Sequence, residues 1–213
     1  NSLYHRIDKT KISLNEEVIS INLKDHLLTT NKRTIKYDNL ISTIPFPFLL
    51  DKCGINYDSS IYTWNQVLVF NLGFDSKGND KVNNWLYIPN KDISFYRVGY
   101  YDNIFNTDRM SLYIELGFYK DCTINVEEWY NRVMEDLKKC GIITNQKLIS
   151  KHHVIMNPAY VHITEKSQSD VKEKKNLLKD FNVYSIGRYG SWTYCSIEDG
   201  MVEAQTLSKN VIQ

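Results

Sequence analysis

The sequence has no Cys-x-x-Cys pair; Cys53, Cys122, Cys140 and Cys195 stand far apart. That spacing rules out the commoner zinc-binding patterns and argues against a disulfide framework in a chain of 213 residues. No metal site is expected, and the thiols are expected to be reduced, as in a cytoplasmic protein. Glycine is scarce, with 9 copies, and none are arranged as Gly-x-Gly-x-x-Gly. A dinucleotide pyrophosphate loop needs those glycines for close backbone approach, so this chain does not supply one. Charge of one sign is also lacking: 26 basic against 25 acidic side chains leave a net charge of +1. Nothing electrostatic therefore calls for a nucleic-acid partner. No apolar run approaches the roughly 20 residues that cross a bilayer, and no signal-peptide pattern opens the chain. Repeats and low-complexity tracts are absent, and nothing in the sequence bears on oligomeric state. The chain starts at Asn1, in a polar stretch and without methionine, which leads us to expect a piece of a longer polypeptide.

What is present is a surplus of rings. Aromatic residues make up 13% of the chain, and 15 tyrosines outnumber 8 phenylalanines and 4 tryptophans. Two readings stand side by side. Aromatic side chains suit pleated, half-buried strands, and tyrosines also line clefts in which phenol hydroxyls supply hydrogen bonds from an apolar wall.

The pattern along the chain predicts an α+β arrangement, a mainly antiparallel sheet with flanking helices. Val18–Leu23, His26–Thr30 and Thr34–Tyr37 read as strands with a turn at Asn31-Lys32. An apolar run then ends at Ile44-Pro45, and Pro45 and Pro47 introduce a short helix, Phe48–Cys53. Gln66–Phe74, Trp85–Ile88, Ser94–Tyr100 and Met110–Phe118 are rich in Val, Ile, Tyr and Phe, and their short links favour antiparallel pairing. Val126–Cys140 has apolar residues at helical spacing, with Asn125 as N-cap and Gly141 just beyond its end. Leu148–Met156 reads as a strand, and Ser169–Asp180 as a helix opened by Ser169. His152 and His153 fall on opposite faces of that strand, a pairing that is usually structural. Last come a strand, Val183–Ile186, a glycine-containing loop and a helix from about Ser196. Such a layout points backbone N–H groups at an anion or an electron-rich ring. Three segments are expected: 1–54, 55–165 and 166–213.

Three motifs carry more specific information. Gly187-Arg188-Tyr189-Gly190-Ser191-Trp192-Thr193-Tyr194, with Val202-Glu203-Ala204 downstream, closely resembles the flavin-proximal segment of UDP-galactopyranose mutases. The layout is also that of the wider amine oxidase and protoporphyrinogen oxidase superfamily. Trp85-Leu86-Tyr87-Ile88-Pro89 followed by Phe95-Tyr96-Arg97 resembles the same family's strand pair ending in Phe-Tyr-Arg. Tyr37-Asp38 through Ser42-Thr43-Ile44-Pro45 resembles the strand that returns to the FAD-binding core. The motifs occur in the family's order, from about Val18 to the C-terminus.

The resemblance implies the C-terminal portion of a two-part, α/β FAD-binding fold, whose glycine-rich loop would lie outside this chain. It implies an isomerase that interconverts UDP-hexopyranose and UDP-hexofuranose through a flavin N5–sugar adduct, without net redox change, in surface polysaccharide biosynthesis. Arg97 would contact the diphosphate of the UDP-sugar substrate, as a bidentate guanidinium suits paired phosphate oxygens. Tyr194 would bond the same diphosphate, and Arg188 would sit beside flavin and substrate. Ser196, Ile197, Glu198 and Asp199 would form the helix start near the flavin. The family often places a tyrosine directly before a proline in the preceding strand. Here Asn157 precedes Pro158, with Tyr160 nearby as a possible substitute, and the departure bears on the exact substrate. Tight FAD binding and activity are not expected of this chain alone. Two alternatives remain open: an amine oxidase-like or protoporphyrinogen oxidase-like oxidoreductase, and a non-catalytic binding module.

Overall fold

The computed structural model describes residues 2–211. Its elements in chain order are α1 (Ser2–Arg6), β1 (Val18–Asn22), β2 (Leu27–Thr30), β3 (Thr34–Lys36), β4 (Leu40–Ser42) and α2 (Phe46–Cys53). Then follow β5 (Trp64–Phe74), β6 (Trp85–Tyr87), β7 (Arg97–Tyr100), α3 (Tyr101–Phe105), β8 (Ser111–Tyr119), α4 (Val126–Lys139) and β9 (Leu148–Val161). The chain closes with α5 (Glu165–Lys179), β10 (Val183–Ser185), α6 (Gly187–Gly190) and α7 (Ile197–Val211). The chain is α+β, as read from its pattern, and divides into two units: Asn1–Tyr62 with Ile163–Gln213, and Thr63–His162.

The second unit is a five-stranded antiparallel sheet in the order β6-β7-β8-β5-β9, with α4 on one face. Alternation along the strands builds that face. Leu68, Phe70, Leu72 and Phe74 of β5 join Leu112, Ile114 and Leu116 of β8 and Val98 and Tyr100 of β7, and Val133 and Leu137 of α4 close over them. Asn125 accepts from the Glu128 amide and starts α4, and Glu127 and Glu128 lie in its first turn, where the helix dipole favours carboxylates. Asp136, buried on α4, accepts from the Ser94 amide at 2.8 Å and ties the helix to the loop before β7.

The first unit contains a three-stranded antiparallel sheet, β1-β2-β3, and a parallel pair, β4 with β10. Phe46, Leu49, Leu50, Tyr62, Val171, Leu178, Val183 and Trp192 are buried in it. Tyr62 meets Trp192 edge to face at 5.2 Å between centroids, and its hydroxyl donates to Asp170 at 2.7 Å.

Several boundaries differ from the sequence reading by one or two residues, α2 starting at Phe46 rather than Phe48 and β5 at Trp64 rather than Gln66, and four differences are larger. The helix α5 starts at Glu165 rather than Ser169, because Thr164 and Ser167 form a reciprocal capping box. A serine stands where such boxes usually carry Glu or Gln, which hid the signal. The strand β9 continues past Met156 to Val161, through a cis Asn157-Pro158 bond. It lies at the sheet edge, where a residue without N–H is tolerated. Ser94–Tyr96 precede β7 rather than belonging to it, although Tyr96 still donates to the Glu115 carbonyl at 3.1 Å. Residues 187–190, read as loop, wind into a single helical turn. His152 and His153 both lie exposed on β9.

Candidate functional site

In the second unit, the sheet face away from α4 carries the residues that alternation leaves over: Val69, Trp85, Tyr87, Arg97, Tyr113, Glu115 and Met156. With Tyr101 they line a depression of about 460 Å³. Gly99 pairs with Tyr113 across β7 and β8, and a side chain at Gly99 would run into the Tyr113 ring. The bare glycine lets that ring lie flat over the strand.

Arg97 is the centre of this face. Its Nη2 donates to Glu115 Oε1 at 2.5 Å and Oε2 at 2.6 Å, and to the Tyr160 hydroxyl at 3.3 Å. Nη1 donates to the Tyr87 hydroxyl at 3.2 Å. The Tyr96 hydroxyl donates to Glu115 Oε2 at 2.5 Å. Nε of Arg97 is buried and meets no acceptor among the described residues. Burial works against the charged guanidinium, but its bonds to Glu115 and Tyr87 prevail and hold its pKa above the ordinary value. Burial, reinforced by the Glu115 carboxylate, pushes the Tyr96 phenol up as well. The guanidinium therefore stays charged and fixed, with its Nη2 edge committed to a carboxylate and its Nη1 edge engaged by a phenol.

The structure thus brings Arg97 and Tyr160 together. Asn157 faces elsewhere: its Oδ1 accepts from the Trp64 indole at 2.6 Å. Sequence reasoning missed Glu115, Tyr87 and Tyr96 as partners of Arg97. A signal for Glu115 did exist, namely a lone acid within the apolar strand Ser111–Tyr119. Such a residue needs a counter-charge when it is buried.

The remaining candidates belong to the first unit. The Arg188 guanidinium carbon stands 4.4 Å from the Tyr194 ring centroid, a cation–π contact, and Tyr194 is 70% exposed. Ser196 and Asp199 cap the start of α7 reciprocally: Ser196 N and Oγ both donate to Asp199 Oδ2 at 2.8 Å, and Asp199 N donates to Ser196 Oγ at 3.1 Å. That box satisfies one amide of the first turn. Ile197, which is 82% exposed, and Glu198 present their amides at the open end of the helix. The amide of Gly187, by contrast, is taken by Glu203 Oε2 at 2.7 Å. The same carboxylate accepts from Ser191 Oγ at 2.8 Å, and Ser191 Oγ accepts from Lys175 at 3.0 Å. Burial pulls the Lys175 ammonium below its ordinary range, with Glu203 opposing. Among the described residues no group of three His, Cys, Asp or Glu could hold a metal ion, and no helix is long and apolar enough to cross a membrane.

No protein-family model matches the sequence, and no curated protein matches it. Solved structures do match. A reduced UDP-galactopyranose mutase aligns with a TM-score of 0.77 at 23% identity, over 91% of this chain and 46% of that one. A putative protoporphyrinogen oxidase from Exiguobacterium sp. 255-15 aligns with a TM-score of 0.79 at 15% identity, over 98% and 49%. The chain has their fold. A CLA-producing fatty acid isomerase from P. acnes aligns with a TM-score of 0.67 at 15% identity, over 92% and 47%. The chain spans about half the length of these proteins. One fold here serves a mutase, a putative oxidase and an isomerase, so the choice of chemistry must come from the side chains.

Proposed function

We propose that this chain is part of a flavin-dependent enzyme acting on a UDP-sugar, with a chemistry like that of UDP-galactopyranose mutase. The observation that carries the reading is the fixed guanidinium of Arg97, set among the Tyr87, Tyr96 and Tyr160 hydroxyls on a sheet face of this fold. An oxidase acting on an amine has little use for a charged, phenol-flanked arginine. A diphosphate does, because charge-assisted hydrogen bonds to its oxygens are the strong ones.

The flavin fits the residues of the first unit in part. The open amides at Ile197 and Glu198 suit carbonyl oxygens at one edge of the ring system, and Arg188, held against Tyr194, brings a fixed positive charge. The chain carries no glycine-rich loop for the pyrophosphate, so it holds at most the ring end. FAD held there would supply the electron-rich centre for breaking and re-forming a glycosidic bond without net redox change. The share of the second unit would be to orient the sugar and stabilise the departing diphosphate, with Arg97 and Tyr160 as donors. By the same analogy, the product would feed cytoplasmic assembly of a surface polysaccharide.

A second reading, substrate oxidation, is favoured by one observation: the Glu115 carboxylate already neutralises Arg97. One experiment separates the two. The full-length polypeptide, purified and inspected for flavin absorbance, is reduced and incubated with UDP-galactopyranose, and the products are resolved by chromatography. Formation of UDP-galactofuranose supports the mutase. Flavin present without conversion, together with flavin-dependent oxygen consumption on another substrate, supports the oxidase. Lack of flavin absorbance overturns both and leaves a binding module.

A further inference from the structure

Glu203 lies on α7, and its carboxylate reaches both ends of the turn that carries Arg188. Oε2 accepts the Gly187 amide that opens α6, and Oε1 accepts the Ser191 hydroxyl that closes it. Gly187 has φ +80, a left-handed conformation in which the amide is turned out of the preceding strand and needs an acceptor of its own. Lys175 of α5 donates to Ser191 and stands 3.8 Å from Glu203 Oε1, so the carboxylate has its counter-charge. At the far side, Ser185 Oγ donates to the Gly190 carbonyl at 2.8 Å. The turn is only four residues long, and these contacts hold both its ends. The one charged side chain of the turn, Arg188, starts from the backbone so held and lies against the Tyr194 ring.

We infer that Glu203 is a positioning residue: through the Gly187 amide and the Ser191 hydroxyl it sets Arg188 for its work beside the flavin and the sugar nucleotide. The inference rests on the flavin-dependent reading above and adds to it a residue that does not itself touch the ligand. An amide in place of the carboxylate can still accept from Gly187 and donate to Ser191. The alanine side chain can do neither.

The test is a double-mutant cycle in the full-length polypeptide. Glu203→Ala is expected to lower kcat/KM about tenfold, and Glu203→Gln to recover most of that loss. In an Arg188→Lys background, Glu203→Ala is expected to add less than twofold, because the group it positions is already compromised. Additive losses in the two backgrounds would overturn the inference, as would equal losses for Ala and Gln. A second readout does not depend on activity. Amide exchange in the peptide spanning residues 186–191 is expected to be about tenfold faster in Glu203→Ala than in wild type, and unchanged exchange would also overturn the inference. If the polypeptide carries no flavin, the functional reading fails, while the exchange experiment still decides whether Glu203 holds the turn.

Discussion

Arg97 and Glu115 face each other across paired strands, in register as neighbours in β7 and β8, with the guanidinium Nη2 within 2.5 and 2.6 Å of the two carboxylate oxygens. Glu115 is almost fully buried, whereas Arg97 keeps some contact with solvent. Removing the arginine leaves a buried carboxylate with the Tyr96 hydroxyl as its remaining donor. A double-mutant cycle between Arg97→Ala and Glu115→Ala, followed by urea unfolding, is expected to show coupling of about 1.5–3 kcal/mol, the range for hydrogen bonds to charged groups. Coupling near zero would mean that solvent screens the pair.

The same arginine has a role in binding to be tested. Arg97→Ala in the full-length polypeptide is expected to weaken the sugar nucleotide at least tenfold, about 1.4 kcal/mol, with flavin affinity changed far less. Titration of each ligand separately gives the comparison. Equal losses of both would assign Arg97 to the scaffold alone.

Gly187 and Gly190 flank one turn but resist substitution for different reasons. A Cβ at Gly187 meets nothing within 4 Å, so Gly187→Ala carries only the backbone cost of its positive φ, about 1–2 kcal/mol. A Cβ at Gly190 would stand 2.9 Å from Ser185 Oγ and 3.2 Å from the Ser42 carbonyl, and the Ser185 bond to this turn would have to shift. Relief by Ser185→Ala is therefore expected for Gly190→Ala and not for Gly187→Ala. Thermal unfolding of the two pairs of variants checks this.

Acid should loosen the β2–β3 hairpin first at Glu16. Its carboxylate accepts from Arg33 and then from Thr30, which holds its pKa down at about 2, against 4.5 for an ordinary glutamate. A depressed carboxylate stabilises the folded state above the unfolded value, and that contribution fades as pH falls from about 4.5 through about 2. The Arg33 partner is largely exposed, so the effect is small and salt-dependent. Urea midpoints of wild type and Glu16→Gln are expected to differ at pH 6 and to converge near pH 2. A constant difference across that window would remove Glu16 from the acid response.

Local pattern made much of the fold legible. The Val, Ile, Tyr and Phe content of Gln66–Phe74 and Met110–Phe118 and the 3–4 spacing in Val126–Cys140 each mark one element, and the structure has all three. Less was legible where a partner is distant. Nothing near Ser42 announces that β4 runs parallel to β10, since pairing depends on segments widely separated along the chain. Arg97 stood out through its neighbours Phe95 and Tyr96. Its engagement by Glu115 needed the β7–β8 register, which no motif encodes. Glu203 was legible only as part of a resemblance, because its contacts run to the backbone of another element.

The ends of the second unit lie side by side. The His162 amide donates to the Thr63 carbonyl at 2.8 Å, and the Thr63 hydroxyl meets His162 Nδ1 at 2.9 Å. A module joined to its host at two adjacent points behaves like an insertion. During synthesis it is complete once His162 emerges, whereas β4 must wait for β10 across the whole of it, and the entropy of closing so long a loop grows only slowly with length. Evolution could lengthen, shorten or exchange the antiparallel module without moving the two points of attachment. A single scaffold could in this way come to serve substrates as unlike as a nucleotide sugar and a fatty acid.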